Sequence, residues 1–278
     1  GYVLIGYILK KFQFIPRKFE QIFTSISFNV LLPLALITNF WLITFPDVFI
    51  IKLLISFFGA GIIIFILSFL IGKYFFQFKI DDSALFGLGA CFGNSVALGI
   101  PLMYSILGPI KTMPYMILVL FHGLVHFTYT TLIIESYRNR NQSNLKKIIY
   151  TVMGLAQNIV LIGMIIGFSL NYFSVPFPTS LQIILQPITK IALPTVLVAL
   201  GMGLATFKII SDFYHLLVLT TLKNFVYPVI AFIIAKYVFQ LPSLFIFIIT
   251  MAAALPSGTQ TYYFSYRYNS LQNIISAN

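Results

Sequence analysis

Eight stretches of predominantly apolar residues, each long enough to cross a bilayer at about 20 residues, fill most of this chain. They lie near 22–45, 48–71, 84–107, 113–134, 150–172, 181–206, 213–236 and 242–266. In lipid every backbone group must be satisfied within its own segment, so such runs fold as helices. Composition agrees, because only 8% of the 278 residues are charged, about a third of the usual share in a soluble domain. The chain is therefore read as an all-α polytopic membrane protein set in a lipid bilayer. The net charge of +11 does not point to nucleic acid, because the basic residues sit mostly between the apolar runs. The single cysteine, Cys91, cannot form a disulfide within one chain. About ten apolar residues precede Lys10 and Lys11, and a new segment begins at Ser270. Both are read as incomplete first and tenth spans, and no signal peptide is evident.

Lysines and arginines assign an orientation. Distributed over alternate loops, twelve fall on one side (Lys10, Lys11, Arg17, Lys18, Lys73, Lys79, Arg138, Arg140, Lys146, Lys147, Lys208, Arg267) and three on the other (Lys52, Lys111, Lys236). The positive-inside rule makes the first side cytoplasmic and the N-terminus external. Lys190 and Lys223 fall inside predicted helices.

The chain also repeats itself. IGYILKKF at 5–12 resembles IGFSLNYF at 166–173, and at the same offset of 161 positions LPLAL at 32–36 falls on LPTVL at 193–197. Residues 1–134 and 150–278 are expected to be two five-span repeats joined by a short basic cytoplasmic loop, 135–149. An odd span count inverts the second copy, giving 5+5 helices.

Two spans carry interruptions. GACFGNSVALGIPLM, 89–103, holds three glycines, Asn94, Ser95 and Pro101, and AAALPSGTQTYYF, 252–264, places Pro256 in a corresponding span. Proline removes a backbone donor and obstructs the preceding turn, which lipid tolerates only where protein or a water-filled cavity covers the freed groups. Paired interruptions in two halves point to a transport site. The expected substrate-binding residues are Asn94, Ser95, Gly99, Pro101, Pro256, Ser257, Thr259, Gln260 and Lys223. Kinking and close packing are the competing explanation, since glycine and proline are frequent in membrane helices.

The acidic residues Glu20, Asp47, Asp81, Asp82, Glu135 and Asp212 fall in loops or at span ends. Without a carboxylate in mid-span, a carboxylate-based cation site is disfavoured and an anionic substrate fits better. Lys223, near the middle of its span, is either a charge partner for that anion or a snorkelling cation. Lys190, nearer a span end, reads as snorkelling. His122 and His126 share a helical face and read as a packing or hydrogen-bonding pair, with no third metal ligand in view. Asn29, Asn39 and Asn158 read as interhelical glue. No metal or cofactor is expected.

These residues bring the chain close to a known family. NSVALGIPL, from Asn94 to Leu102, Pro256 followed by Gln260, NVLLP at 29–33 and IALPTVLVALG at 191–201 together resemble the auxin efflux carrier family, which includes plant PIN-type carriers and bacterial organic-acid carriers. Val96, Ala97 and Gln260 depart from its usual pattern. The resemblance implies an inverted repeat of 5+5 transmembrane helices with two crossing broken helices, the fold of sodium/proton antiporters and bile-acid symporters. It also implies a scaffold of spans 1, 2, 6 and 7, homodimers, and elevator-type transport of organic anions. The short central loop points to compact carriers of malonate- or malate-like acids in a bacterial inner membrane.

The function expected is a secondary transporter, an efflux carrier or exchanger, of a small mono- or dicarboxylate, and not an enzyme. The alternatives are a sodium- or proton-coupled symporter of the bile-acid type, a transporter-like sensor, and a membrane enzyme using His122 and His126.

Overall fold

The computed structural model describes residues 1–42, 50–138, 145, 159–205, 213–271 and 274–275. Asp47, Arg140, Lys146, Lys147, Asn158, Lys208, Asp212 and most of the 135–149 loop lie outside the described residues. The described chain is helical almost throughout, with one isolated β-bridge and no strand. In order come α1 (Tyr2–Lys11), α2 (Arg17–Trp41), α3 (Ile50–Phe75), α4 (Ile80–Cys91), α5 (Ile100–Lys111), α6 (Met113–Arg138), α7 (Ile159–Tyr172), α8 (Thr179–Leu204), α9 (Phe213–Val238), α10 (Ser243–Ala254) and α11 (Thr259–Tyr268).

Five of these, α2, α3, α6, α8 and α9, are long and apolar enough to cross a membrane. In α3, Leu53, Phe57, Ala60 and Ile64 are buried while Ile51, Ile55, Ile62 and Ile66 are exposed. A helix apolar on its exposed side as well as its buried side belongs in lipid. The protein is an integral membrane protein.

The chain divides into two compact units that interleave its two halves. Unit 1 comprises Gly1–Phe45, Val96–Met113 and Leu155–Lys208; unit 2 comprises Pro46–Ser95, Pro114–Gly154 and Ile209–Asn278.

Unit 1 is built on two close helix pairs, α1 with α8 and α2 with α7. Glycine sets both approaches. A Cβ at Gly6 would collide with Val198 O, and one at Gly201 with Val3 O. Across the other pair, a Cβ at Gly167 would lie 2.5 Å from Ile37 O, and one at Gly163 3.0 Å from Pro33 O. Small residues let backbones meet in this way where no hydrophobic force draws helices together. The contact of Gly6 with Val198 and that of Gly167 with Ile37 exchange under one offset of 161 positions.

Local geometry repeats at the same spacing. α1 closes with Gln13 at φ 56° and a bond from Phe14 N to Leu9 O of 3.0 Å; α7 closes with Ser174 at φ 52° and a bond from Val175 N to Leu170 O of 2.9 Å. Each is a left-handed C-terminal cap satisfying a terminal carbonyl. In α5, Gly108 at φ 74° breaks the last turn, a conformation that favours glycine.

Unit 2 repeats itself more plainly, in a match the sequence analysis overlooked. IGKYFFQF at 71–78 and IAKYVFQL at 234–241 each end in a π-helical turn and a glutamine at positive φ, Gln77 and Gln240. Phe78 N then bonds Gly72 O at 2.9 Å, and Leu241 N bonds Ala235 O at 3.0 Å. α4 and α10 follow, 12 residues each, starting 163 positions apart.

One end of unit 2 is stapled by charge. Arg138 Nε donates to Asp81 Oδ2 and its Nη1 to Tyr268 O, both at 2.8 Å, while Tyr268 Oη donates to Glu135 Oε1 at 3.0 Å. Ser270 Oγ bonds Asp82 Oδ1. Asp81 and Asp82 occupy the first turn of α4, where the helix dipole favours anions. The described carboxylates thus sit at helix ends, as expected from sequence.

Candidate functional site

Helices α4 and α10 stop abruptly. After Cys91 the chain turns extended at Phe92 (φ −90°, ψ 109°), and after Ala254 it does so at Leu255 (φ −59°, ψ 139°). The two unwound segments meet as an antiparallel bridge between Gly93 and Ser257. Asn94 N donates to Pro256 O at 2.8 Å, and Gly258 N donates to Phe92 O at 3.2 Å. The bridge satisfies backbone groups that lipid could not. Helical structure then resumes at Ser95 and at Thr259.

Both arriving helices have their C-terminal carbonyls capped from within the unit. Lys223 Nζ donates to Ala253 O at 2.7 Å, and Ser257 Oγ donates to Gly89 O at 2.7 Å. Lys223 is fully buried, the only lysine or arginine so placed among the described residues, with its Nζ 4.8 Å from the Tyr227 ring centroid. A Cβ on Gly93 would stand 3.5 Å from that Nζ, which puts the ammonium beside the bridge. A cation at a helix C-terminus opposes the dipole.

His122 Nε2 accepts the Gly93 N–H at 3.2 Å, and Tyr115 Oη donates to Ser95 O at 2.6 Å. Both residues belong to α6, which therefore braces the break. Cys91 is buried, its Sγ 3.2 Å from Tyr129 Oη.

Of the residues singled out by sequence, Asn94, Ser95, Pro256, Ser257 and Lys223 gather at this crossing within unit 2. Thr259 opens α11, and Gln260 is half-buried in its first turn. Gly99 and Pro101 belong to unit 1. Ser257 faces Gly93 across the bridge, and at the 163-position spacing of α4 and α10 Pro256 falls on Gly93 and not on Pro101. Helical structure resumes at Ser95 and runs on through a π-helical turn into α5, so Pro101 lies beyond the break at Phe92–Asn94 and does not cause it. Asn29 Nδ2 bonds Ser25 Oγ one turn back at 3.2 Å, a bond within its helix where an interhelical one was expected.

Unit 1 holds a feature that sequence reasoning missed. A cavity of about 240 Å³ lies between α2, α5 and α8, with Leu32, Leu36, Ile100, Pro101 and Val196 among its apolar walls. Asn39, Tyr104, Thr189 and Lys190 supply its polar groups. Tyr104 Oη is buried and faces the Asn39 amide without completing a hydrogen bond. Lys190 is exposed and also lines this cavity, a role beyond simple snorkelling. The only sequence signal was spacing, since Pro101 and Tyr104, three apart, share a helical face.

Among the described residues no group of three or more His, Cys, Asp or Glu could hold a metal ion. A membrane-spanning helical chain with two unwound helices crossed in one unit has the architecture of a membrane transporter. A family model described as membrane transport protein matches residues 2–278, and the chain belongs to that family, the auxin efflux carriers. No individually curated protein matches it.

Proposed function

We infer that this membrane transporter is a secondary carrier of a small organic anion. The observation that carries the reading is the fully buried Lys223 beside the bridge of the two unwound segments. At the two helix C-termini Lys223 and Ser257 each cap one carbonyl, Ala253 O and Gly89 O, which makes those ends less available to a cation. Helix N-termini carry amides without intrahelical acceptors and favour an anion. A buried ammonium beside them adds to the same preference, and a charge at that depth is usually functional. Asn94, Ser95, Pro256, Ser257, Thr259 and Gln260 are the proposed contacts, with Lys223 as charge partner.

Pro101 lines the cavity of unit 1 and Gly99 belongs to the same unit, so neither is among the contacts proposed at the crossing.

The repeated caps, glycine contacts and 12-residue helices support an inverted repeat of 5+5 spans, 1–134 and 150–278. The interleaved units support a scaffold and a moving part, and hence elevator-type alternating access. A homodimer in a bacterial inner membrane, with the N-terminus outside, completes the proposal.

The test is counterflow of labelled mono- and dicarboxylates into proteoliposomes, beside Asn94→Ala. Saturable exchange that falls at least tenfold in the variant supports the carrier and its site. Equal flux in both proteins keeps the carrier and removes Asn94 from the site. No flux through folded protein sinks the anion-carrier reading and favours a sensor.

A further inference from the structure

The crossing is wired to a buried pair of histidines that anion binding does not use. His122 Nε2 accepts a backbone N–H from Gly93, so that nitrogen holds its lone pair and the neutral ring carries its proton on Nδ1. His126 Nδ1 lies 2.9 Å from His122 O. A carbonyl only accepts, so Nδ1 donates and the lone pair of His126 is on Nε2. That Nε2 is buried without a hydrogen-bond partner, an arrangement that is costly unless the atom has work to do.

Its surroundings are specific. A Cβ on Gly61 would stand 2.9 Å from His126 Nε2 and 3.2 Å from Tyr227 Oη. The two polar atoms therefore share one hollow kept open by glycine, no more than about 6 Å apart, which one water molecule can span. Tyr227 Oη has only a long bond, 3.4 Å, to Phe57 O. The titratable groups around His126 come from three helices. They are His122 and Tyr129 on α6, Lys223 and Tyr227 on α9, and Cys91 on α4, which reaches Tyr129. α3 contributes Phe57, Phe58 and Gly61. The nearest carboxylate along α6, Glu135, is nine residues away, about 13 Å along the helix.

We propose that His126 Nε2 is a proton-binding site linked to the crossing, so that the carrier moves its anion together with a proton. This rests on the anion-carrier reading above. The proton adds to the Nε2 lone pair, giving an imidazolium with N–H at both nitrogens, and leaves to water on the other side; nothing is oxidised or reduced. Without an anion, that imidazolium would lie near the Lys223 ammonium with no carboxylate among the described titratable groups packed around it. An anion at the crossing offsets the repulsion, and linkage makes the effect mutual, so a bound proton tightens the anion site. The Gly93–His122 bond ties the histidine pair directly to the backbone that would hold the anion.

The experiment uses the full chain, labelled propionate and labelled malonate. With an inward proton gradient, wild-type proteoliposomes accumulate the transported acid above equilibrium and acidify inside. Folded His126→Gln loses that accumulation at least tenfold, while His215→Gln stays within twofold of wild type. In parallel, ¹⁵N-histidine spectra of the purified protein, with His126 assigned by His126→Gln, show it neutral without acid. At the same pH, saturating propionate or malonate turns it to imidazolium. Accumulation that survives in His126→Gln overturns the proposal, as does exchange without any response to the gradient. Should no acid move at all, the carrier reading falls, and the spectra decide the proton site separately. An acid-dependent imidazolium signal upholds it, and an unmoved His126 signal ends it.

Discussion

Lys223 shows how much one residue's meaning depends on its neighbours. From sequence it was equally a substrate partner or a cation reaching for an interface. Its Nζ caps the last turn of α10 beside Gly93, and the residue has no exposed surface. Lys223→Met removes the cost of burying the charge but leaves Ala253 O without its donor, which costs about 1–3 kcal/mol. Lys223→Met should therefore lose no more than about 3 kcal/mol of stability while anion counterflow drops at least tenfold. A thermal melt beside a flux assay reads both, and undiminished flux would reduce Lys223 to a helix cap. His122 and His126 were legible as a face-sharing pair, but not their tautomers, which follow from Gly93 N and His122 O. Lys190, Tyr104 and Asn39 are far apart in sequence, so only the packing of α2, α5 and α8 could assemble their cavity.

At the scale of elements, glycine does two jobs in this chain. In unit 1 it brings helices into backbone contact, and the positions with collision partners are few. Gly167→Leu would drive a side chain into Ile37 O and Phe40 Cβ, an overpacking that costs about 3 kcal/mol or more. Gly59→Ala in α3 meets nothing within 4 Å and gains helix propensity, so it should match or slightly exceed wild-type stability. Thermal unfolding in detergent of the two variants gives the comparison; similar losses in both would mean that α2 and α7 are not held at this glycine. In unit 2 the break in α4 falls at Phe92–Asn94, before the proline that flagged it. Prolines are visible in sequence and mark the neighbourhood of a break. The break itself belongs to the backbone pairing with Leu255–Gly258, which joins residues more than 160 positions apart.

Over the whole molecule, each unit draws segments from both halves of the chain. Orientation is the property most directly open to measurement. Cys91 is buried, so a Cys91→Ala background should accept single reporters without hidden reactivity. Lys111→Cys and Lys236→Cys should react with an impermeant maleimide in intact cells, and Lys73→Cys and Lys79→Cys only after permeabilisation. The reverse pattern would invert the topology derived from the basic loops.

Membrane class, the five long apolar helices and the neighbourhood of the breaks were legible in the sequence alone. Bilayer thickness and the need to satisfy backbone groups act on every span locally, so they leave their mark in consecutive residues. Glycine contacts at Gly6 and Gly167, the Gly93–Ser257 bridge, the burial of Lys223 and the free lone pair of His126 were decided by tertiary structure. Each is a meeting of distant segments, and no local pattern records which carbonyl a lysine reaches or which side of an imidazole is left without a partner.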